Sequence, residues 1–462
     1  MSEGLTPGPR TLWRPYHVWV VALLLLVTVC NYLDRIVLGV LQEPIKHELR
    51  LADWQLGLLN GPAFAALYSV AGIPVARLAE RMNRSTLLSI ATGAWSALTA
   101  LCASASGFPQ LLLLRMGVGM AEGGCVPVSH SIVSDYFTAR QRGTVMSFVS
   151  AAPSLATMLA PVIGGFAAEA WGWRTAFLIV AAPGVLLALL VRFTLRDLRA
   201  AAVIGETAPK RDSFWSDLKW LARTPAFVFV FIGGAFIGIG NGGVVAFSVS
   251  FLIRNHHLPL SAAGGVVGLT GLTGLVGAFL GGVLADRFCG KRGQSYVLIP
   301  AIGSLLAFLA YGAAFTVNAW TLALPLLLGA SVAYNLKSGP LYAAVQNIVP
   351  ATMRATGAAV FMVAATVIGS MVGPLLTGVL SDTFAGSAFT FGDFAQLCPG
   401  GRAAADAAPV VAKACASASA LGLKHALMTN AFAFILAAVF LLLAARTIRI
   451  NEAGPTLVRN PQ

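Results

Sequence analysis

Long apolar segments recur along the whole chain, and they constrain its fold more than any other feature. Many contain about 18 or more residues with few charges, the length that an α-helix needs to cross a hydrocarbon core of roughly 30 Å. A transmembrane β-strand is only about half as long, so the segments predict helices. The sequence is 57% hydrophobic and 11% charged, a balance that excludes an ordinary water-soluble domain. We therefore expect an all-α protein that crosses a membrane many times.

The apolar segments predict twelve transmembrane helices in two groups of six. The first group covers residues 17–41, 54–76, 86–105, 108–137, 143–168 and 175–194. The second covers residues 225–254, 262–284, 295–317, 320–349, 356–380 and 425–448. The predicted domains are a six-helix bundle over 1–194, a cytoplasmic linker over 195–224, a second six-helix bundle over 225–450 and a cytoplasmic tail over 451–462.

The distribution of basic residues predicts the orientation. Most of the 31 lysine and arginine residues fall in the two ends of the chain and in the loops on their side of the membrane. Since basic loops stay in the cytoplasm, both termini are expected there, in a bacterial inner membrane. The net charge of +13 is then a topology signal and gives no reason to expect nucleic acid as a partner.

The two groups of helices resemble each other in sequence. The second predicted span ends in LAER (residues 78–81), and the eighth ends in LADR (residues 284–287). A second echo joins RQRGTVMSFVSAAPSLATMLAPVIGGF in span five to ATMRATGAAVFMVAATVIGSMVGPLLTG in span eleven. Duplicated halves predict a pseudo-twofold axis, with a binding site near the membrane midplane between the halves and alternating access to its two sides.

These motifs resemble those of the major facilitator superfamily of secondary transporters. GIPVARLAERMNR and GGVLADRFCGKR look like its repeated loop motif, and LLLLRMGVGMAEG resembles its fourth-helix motif. The resemblance implies that the acids and bases of the loop motif form a cytoplasmic gate. Here they are Glu80, Arg81, Arg84, Asp286 and Arg287, although the first copy departs from the usual pattern at Glu80 and Asn83.

A narrower resemblance is to the Spinster branch, whose members carry lysophospholipids or sphingosine 1-phosphate. NYLDRIVLGVLQEPIKHEL, LLLLRMGVGMAEGG, SDYF and AWGWRTAF carry this likeness. It implies a proton-coupled transporter of an anionic amphiphile. Superfamily branches that import small organic anions with protons share the NYLDR-like start, so such an anion remains the alternative substrate.

Charged residues inside the predicted spans mark the candidate site. They are Asp34, Arg35, Arg115, Glu122 and Lys337. Because a charge in the bilayer costs at least about 2.5–3.5 kcal/mol, such residues usually pair or line a cavity. Arg115 and Glu122 lie two turns apart on one helix face, roughly 10 Å from each other, and Asp34 is the expected partner of Arg115.

This set suggests a proton switch. We expect Asp34 and Glu122 to be alternating proton sites, so that protonation frees Arg115 to accept an anionic headgroup through its planar guanidinium. The alternative is a static ion network that holds two helices together. Arg35 is assigned to substrate binding, but its place near the outer end of its span also fits a side chain that reaches to the membrane surface.

The second half contributes a polar stretch, AYNLKSGPLYAAVQN, on the predicted tenth helix. Within it, Lys337, Tyr334, Asn335 and Tyr342 are candidate substrate-binding residues, and a polar packing network is the alternative. The sequence contains no P-loop, no zinc-binding motif and no catalytic triad that we can assemble, so we expect neither an enzyme, a cofactor nor a metal. Protons, lipids and a small amphipathic or anionic substrate are the expected partners of a monomer.

Two further features leave alternatives open. SFWSDLKWLAR in the linker has the spacing of an amphipathic helix at the membrane surface, or it is a solvated connection. Cys398 and Cys415 share the longest outer loop, residues 381–424, where an oxidising periplasm permits but does not require a disulfide.

Overall fold

The protein is a helical bundle, as the apolar segments predict. The computed structural model describes residues 15–138, 141, 145–146, 148–149, 151–198, 214–288, 293–350 and 353–448. These residues are almost all helical and include no β-strand. The predicted tail and most of the predicted linker lie outside the described residues.

The helices of the first half, residues 15–194, follow one another with short connections. They are α1 (Pro15–Leu49), α2 (Asp53–Asn60), α3 (Pro62–Arg81), α4 (Arg84–Cys102), α5 (Phe108–Glu122), α6 (Cys125–Tyr136) and α7 (Ala152–Thr194). Helix α7 bends at Gly172, whose φ of 83° an L-amino acid rarely adopts.

The second half, residues 225–448, has the same character. After the linker helix α8 (Phe214–Arg223) come α9 (Pro225–His256), α10 (Leu260–Arg287), α11 (Ser295–Thr316), α12 (Trp320–Asn335), α13 (Pro340–Ile348) and α14 (Arg354–Met362). A π-helical turn (Val363–Ile368) leads into α15 (Gly369–Ala388), and α16 (Phe394–Leu397) and α17 (Pro409–Thr447) complete the half.

Eight helices of the described chain are long and apolar enough to cross a membrane. They are Pro15–Leu49, Arg84–Cys102, Phe108–Tyr136, Ala152–Thr194, Pro225–His256, Leu260–Arg287, Ser295–Thr316 and Pro409–Thr447. Other predicted spans are divided into shorter helices. Gly61 separates α2 from α3, and the turn over residues 336–339 separates α12 from α13.

Several predicted boundaries are wrong because charged residues lie inside helices instead of in loops. The first span was expected to end at residue 41, but α1 continues to Leu49, past Glu43 and Lys46. Both side chains are buried and paired, so their charges do not end the helix. Similarly, α17 begins at Pro409, sixteen residues before the predicted start of that span.

Cys398 and Cys415 form a disulfide, which settles the alternative left by the sequence. The bond joins Cys398, directly after the short helix α16, to Cys415 near the start of α17. We call the end of the bundle that carries it the disulfide end, and the opposite end, where α3 and α10 terminate at Arg81 and Arg287, the linker end.

The linker helix α8 is present, as its spacing predicts. It buries Leu221 against the second half and leaves Trp215 73% exposed. Its Asp217 accepts a hydrogen bond from Thr356 at 3.2 Å, so α8 is attached to the beginning of α14. The helix is therefore a packed part of the second half.

Glycines bring the two halves into backbone contact. A Cβ atom built on Gly264 of α10 would lie 2.1 Å from the carbonyl oxygen of Pro161 in α7. One built on Gly378 of α15 would lie 2.2 Å from the carbonyl oxygen of Asp53 in α2. Small residues at helix crossings allow this approach, and no larger side chain fits without moving a backbone.

We expect Gly264→Val to destabilise the packing of α7 against α10. Since the obstructing atom is a backbone oxygen, the helices must separate, at a cost of about 1–3 kcal/mol or more. Thermal unfolding of the purified protein should show a lower melting temperature. Gly265→Val is the matched control, because a Cβ at Gly265 meets nothing within 4 Å; equal effects at both positions would contradict the contact.

Candidate functional site

An ion pair joins α1 to α5 in the middle of the first half. Arg115 Nη1 lies 3.6 Å from the carboxylate oxygen Oδ1 of Asp34, and it also donates to the backbone oxygen of Asp34 at 3.4 Å. Asp34 is 2% exposed and Arg115 is 1% exposed. Thr99 of α4 donates a hydrogen bond to the other carboxylate oxygen of Asp34. The expected pairing of Asp34 with Arg115 is therefore present.

A second ion pair lies beside the first. Arg35 Nε donates to Glu122 Oε2 at 2.7 Å, and Arg35 Nη2 donates to Asn31 Oδ1 at 2.7 Å. The guanidinium also lies 4.3–5.0 Å from the ring centroids of three aromatic residues, Tyr32, Phe64 and Tyr68. An arginine with a carboxylate and aromatic faces around it is well stabilised away from water.

This position of Arg35 overturns the alternative that its side chain reaches to the membrane surface. The sequence placed it about 100° around the helix from Asp34, which made an outward direction plausible. In the structure α5 supplies Glu122, and α3 supplies two of the rings, so the inward direction gives the guanidinium partners on several helices.

The two ion pairs leave hydrogen-bonding capacity unused. In the described residues, Asp34 Oδ1, Glu122 Oε1, Arg115 Nε and Asn31 Nδ2 are buried and make no hydrogen bond. A buried polar atom without a partner costs about 1–3 kcal/mol, so four in one place are unusual. The centre has free acceptors on both acids and a free donor on Arg115, which suits it to bind a proton or an anionic group.

Two adjacent cavities lie in the described part of the structure, and the four residues of the ion pairs are not among those that line them. The larger, about 240 Å³, is lined by residues of both halves, among them Ile36 of α1, Thr157 of α7 and Asn335 of α12. The smaller, about 190 Å³, is lined by residues of the second half that include Lys337 and Tyr342. Asn241 and Tyr334 line both cavities. The four candidates from the predicted tenth helix are thus distributed over neighbouring spaces.

Lys337 is the cation of the smaller cavity. Its Nζ lies 4.5 Å from the ring centroid of Tyr334, and in the described part of the chain no carboxylate lies within ion-pairing distance of it. Tyr342 packs edge-on against Phe361, with ring centroids 5.4 Å apart. A lysine among aromatic rings and without an acid partner can accept an anionic group in an otherwise apolar space.

Two of the residues predicted to form a gate at the linker end, Arg84 and Asp286, have no hydrogen bond or ion pair to the opposite half among the described residues. Arg84, 2% exposed, binds Asp135 and Ser131 of the first half and Asp197 at the start of the linker, with Nη2 2.9 Å from Asp197 Oδ1. Asp286 accepts a hydrogen bond from Tyr296 at 2.8 Å, and Arg287 is exposed. The side chains of Glu80 and Arg81 lie outside the described part of the structure.

Sequence reasoning missed a second buried charge cluster, at the disulfide end. Arg254 of α9 binds Glu43 of α1 and Asp53 of α2, and Lys46 binds Asp53. Glu43, Lys46 and Asp53 are each 1–2% exposed. We assigned these three to a loop and Arg254 to a span end, so their burial was hidden. The available signal was the excess of alternating acids and bases beyond residue 41, where a loop should be basic or neutral.

The glycine-rich sequence GIGNGG (residues 238–243) belongs to the unbroken helix α9. It follows no strand and forms no phosphate-binding loop, as its apolar surroundings predict. Its small residues allow α15 to approach closely, since a Cβ on Gly242 would lie 2.6 Å from the backbone oxygen of Gly369. His130 lies in α6 and pairs with no acid among the described residues, so we assign it no role in the site.

An all-helical bundle with long apolar helices, buried ion pairs and cavities between two halves defines a membrane-spanning transporter and not an enzyme. The chain belongs to the Major Facilitator Superfamily, whose family model matches residues 24–374. Within that family it resembles the Spinster branch, as the motifs predict.

Two crystal structures of a bacterial homologue of the human lysosomal transporter Spinster share its fold. Both have 30% sequence identity to this chain and cover 95% of it and 100% of that protein, with TM-scores of 0.83 and 0.84. They are inward-facing, the first unoccupied and the second occupied. A D-xylose–proton symporter, 16% identical with a TM-score of 0.64, shares the fold alone.

Curated relatives point to transport as well. An MFS-type efflux pump of Mycolicibacterium smegmatis is 36% identical over 81% of this chain and 86% of the relative. Protein spinster homolog 1 of Xenopus tropicalis is 24% identical over 79% of this chain and 73% of the relative. A probable galactarate/D-glucarate transporter of Bacillus subtilis is 24% identical over 69% of this chain and 75% of the relative.

Proposed function

We propose that this protein is a proton-coupled secondary transporter that moves a lysophospholipid or sphingolipid-like anionic amphiphile across the bacterial inner membrane. The observation that carries the proposal is the pair of buried ion pairs, Asp34–Arg115 and Arg35–Glu122, between α1 and α5. Helix α1 also lines a cavity between the halves, through Ile36. Binding of a proton and an anion explains charges in this position better than a contribution to stability does, because a buried ion pair is seldom more stable than apolar packing.

The coupling step follows from the partners of the two acids. A proton on Asp34 removes the counter-ion of Arg115, and a proton on Glu122 removes that of Arg35. Each freed guanidinium then presents donors to an anionic headgroup. Proton and substrate thus compete for the same arginines, and a proton gradient can drive the substrate against its own gradient.

The cavities favour an amphiphile over a compact ion. Lys337 and Asn335 offer a headgroup polar partners, whereas Val244, Val249 and Leu327 supply apolar walls. The likeness to Spinster proteins and to an efflux pump supports a lipid-like substrate and export. We assign Arg35, Arg115 and Lys337 to binding of the anionic headgroup.

We also propose the topology that the sequence predicts: twelve crossings, two six-helix bundles as domains, both termini in the cytoplasm and a monomer. Pairs such as α2 with α3 and α12 with α13 each make one crossing. The linker end then faces the cytoplasm and the disulfide end faces the periplasm, where disulfides persist. In the outward-open state Glu80, Arg81, Arg84, Asp286 and Arg287 would close the cytoplasmic side.

The alternative substrate is a small organic anion taken up with protons. The relative of Bacillus subtilis described as a probable galactarate/D-glucarate transporter favours it, as does a probable L-galactonate transporter of Escherichia coli, 30% identical over 36% of this chain. The same arginines would bind a carboxylate as well as a phosphate.

The test uses wild-type protein in proteoliposomes with an imposed pH gradient. Labelled lysophosphatidylglycerol should move with the gradient, and a proton carrier should abolish the effect. If the lipid does not move, labelled glucarate in the same vesicles tests the alternative. Movement of neither substrate with the gradient would contradict both assignments.

A further inference from the structure

Arg254 connects the two halves at the disulfide end through two carboxylates of the first half. Its Nε and Nη2 donate to Glu43 Oε1 at 2.9 and 2.6 Å. Its Nη1 donates to Asp53 Oδ2 at 2.7 Å, and its Nη2 donates to Asp53 Oδ1 at 2.8 Å. The guanidinium side chain is 7% exposed. One residue of the second half therefore neutralises two buried acids of the first.

The second half supplies further partners for the same place. Ser381 of α15 donates to Asp53 Oδ2 at 2.6 Å. The carboxylate of Asp382 accepts hydrogen bonds from the backbone N–H groups of Asp53 and Trp54 at 3.1 and 2.8 Å, and so caps the first turn of α2 across the halves. An acid at a helix N-terminus satisfies donors that have no partner in the helix.

Each acid also has a basic residue beside it within its own half. Lys46 Nζ lies 2.6 Å from Asp53 Oδ1. His47 Nε2 lies 3.4 Å from Glu43 Oε2, one helical turn along α1. When the halves separate, Arg254, Ser381 and Asp382 leave together, and Lys46 is the partner that stays with Asp53.

This arrangement has a consequence for opening. In the closed state Lys46 supplies one of several hydrogen bonds to Asp53, so its loss there is partly compensated. In the open state it supplies the remaining ionic partner, so its loss leaves a carboxylate uncompensated at the edge of the membrane, which is strongly unfavourable. Lys46 therefore stabilises the open state more than the closed state, whereas Arg254 stabilises the closed state.

We propose that Arg254 and Lys46 form a partner-exchange switch at the outer gate, which is the contact of Arg254 with Glu43 and Asp53. Arg254 holds the gate closed, and Lys46 takes over Asp53 when the gate opens. The proposal rests on the alternating access of the proposed function. It assigns positioning roles to residues outside the central ion pairs and requires no particular substrate.

The test measures the gate directly, without substrate. Spin labels are placed at Ser104→Cys and Ala319→Cys, two exposed positions in different halves at the disulfide end. The background replaces Cys30, Cys102, Cys125 and Cys289 by alanine and retains the disulfide. Distances between the labels are measured by double electron–electron resonance in lipid nanodiscs.

Arg254→Met should raise the ratio of long to short distances by at least about tenfold, since one arginine serves both acids. Lys46→Met, made with Arg254 retained, should lower the ratio relative to wild type, because Arg254 still compensates Asp53 in the closed state and nothing replaces Lys46 in the open state. A merely structural role predicts the reverse, because loss of a buried cation would loosen the gate. A Lys46→Met variant with more long distances than wild type overturns the proposal.

Two controls keep the result interpretable. Lys424→Met removes a cation at the same end that donates to the backbone oxygen of Thr316 and pairs with no acid among the described residues, and it should leave the distances unchanged. If Arg254→Met does not fold, Arg254→Lys should give a smaller opening, because it keeps the charge but loses the planar hydrogen-bonding geometry of the guanidinium. No opening in a folded variant contradicts the switch, whereas failure of lipid transport in proteoliposomes bears on the proposed function alone.

Discussion

Replacing Asp34 by asparagine is expected to abolish the response of transport to a pH gradient while leaving the protein folded. The amide oxygen can still accept the hydrogen bond from Thr99, so the position of the side chain is retained. The group can neither release nor bind a proton in the physiological range, and Arg115 permanently loses its counter-ion. Because the gradient acts through a group that changes its protonation, gradient-driven transport should fall on the order of a hundredfold, equivalent to about 2.7 kcal/mol of transition-state free energy.

The measurement compares two assays on the same vesicles. Uptake of labelled lysophosphatidylglycerol driven by an imposed pH gradient reports coupling. Exchange of labelled for unlabelled lipid without a gradient reports binding and alternating access. Asp34→Asn should lose the first and retain a substantial part of the second. Glu122→Gln should behave likewise, because its acid holds Arg35. A full gradient response in either variant would contradict the assigned proton site.

The static alternative makes a different prediction for the same variants. If the ion pairs only hold α1 and α5 together, Asp34→Asn and Glu122→Gln should lower the melting temperature and reduce both assays in parallel. If they are proton sites, the two assays should separate. Coupling and stability therefore distinguish a functional centre from a structural one at the same residues.

The sequence predicted the pairing of Asp34 with Arg115 because these residues obey simple helical geometry. The charges of Asp34, Arg115 and Glu122 had to be paired or to face a cavity in lipid, and helix periodicity placed two of them on one face. The direction of Arg35 did not follow from its own helix. It depends on Glu122 and on aromatic rings of other helices, which only the tertiary packing brings together.

The outer cluster could not be predicted, for a related reason. Glu43, Lys46 and Asp53 look like loop residues because a span is recognised by the absence of charge. Here opposite charges from three helices cancel one another, so α1 continues through them without exposing an unpaired group. A hydropathy argument assigns every charge separately and therefore ends the helix too early.

The divided spans reflect the same limit. Gly61 and the turn over residues 336–339 interrupt segments that the sequence predicts as single spans. Their backbones are accommodated by neighbouring helices, as at Gly61, where a Cβ would lie 2.9 Å from the backbone oxygens of Ser370 and Met371. Non-helical backbone at membrane depth is tolerated only where other parts of the protein pack against it. The sequence of the segment itself does not specify those neighbours.

Substituting Lys337 by methionine should weaken the binding of an anionic amphiphile by about 10–100-fold and leave a zwitterionic one nearly unaffected. A hydrogen bond to a charged group contributes about 1.5–3 kcal/mol, which gives that range. Competition of lysophosphatidylglycerol and lysophosphatidylethanolamine against a labelled substrate measures the two affinities. Lys337→Arg, which restores a cation, should recover preference for the anionic lipid.

Lys337 is suited to this test because its loss leaves no acid behind. In the described part of the chain it faces the ring of Tyr334 and no carboxylate, whereas Arg115 and Arg254 neutralise buried acids. Lys337→Met should therefore keep the wild-type melting temperature or raise it, since methionine fills the space without a charge in the membrane. An equal loss of affinity for both lipids, with unchanged stability, would show that the side chain shapes the cavity and does not recognise the headgroup charge.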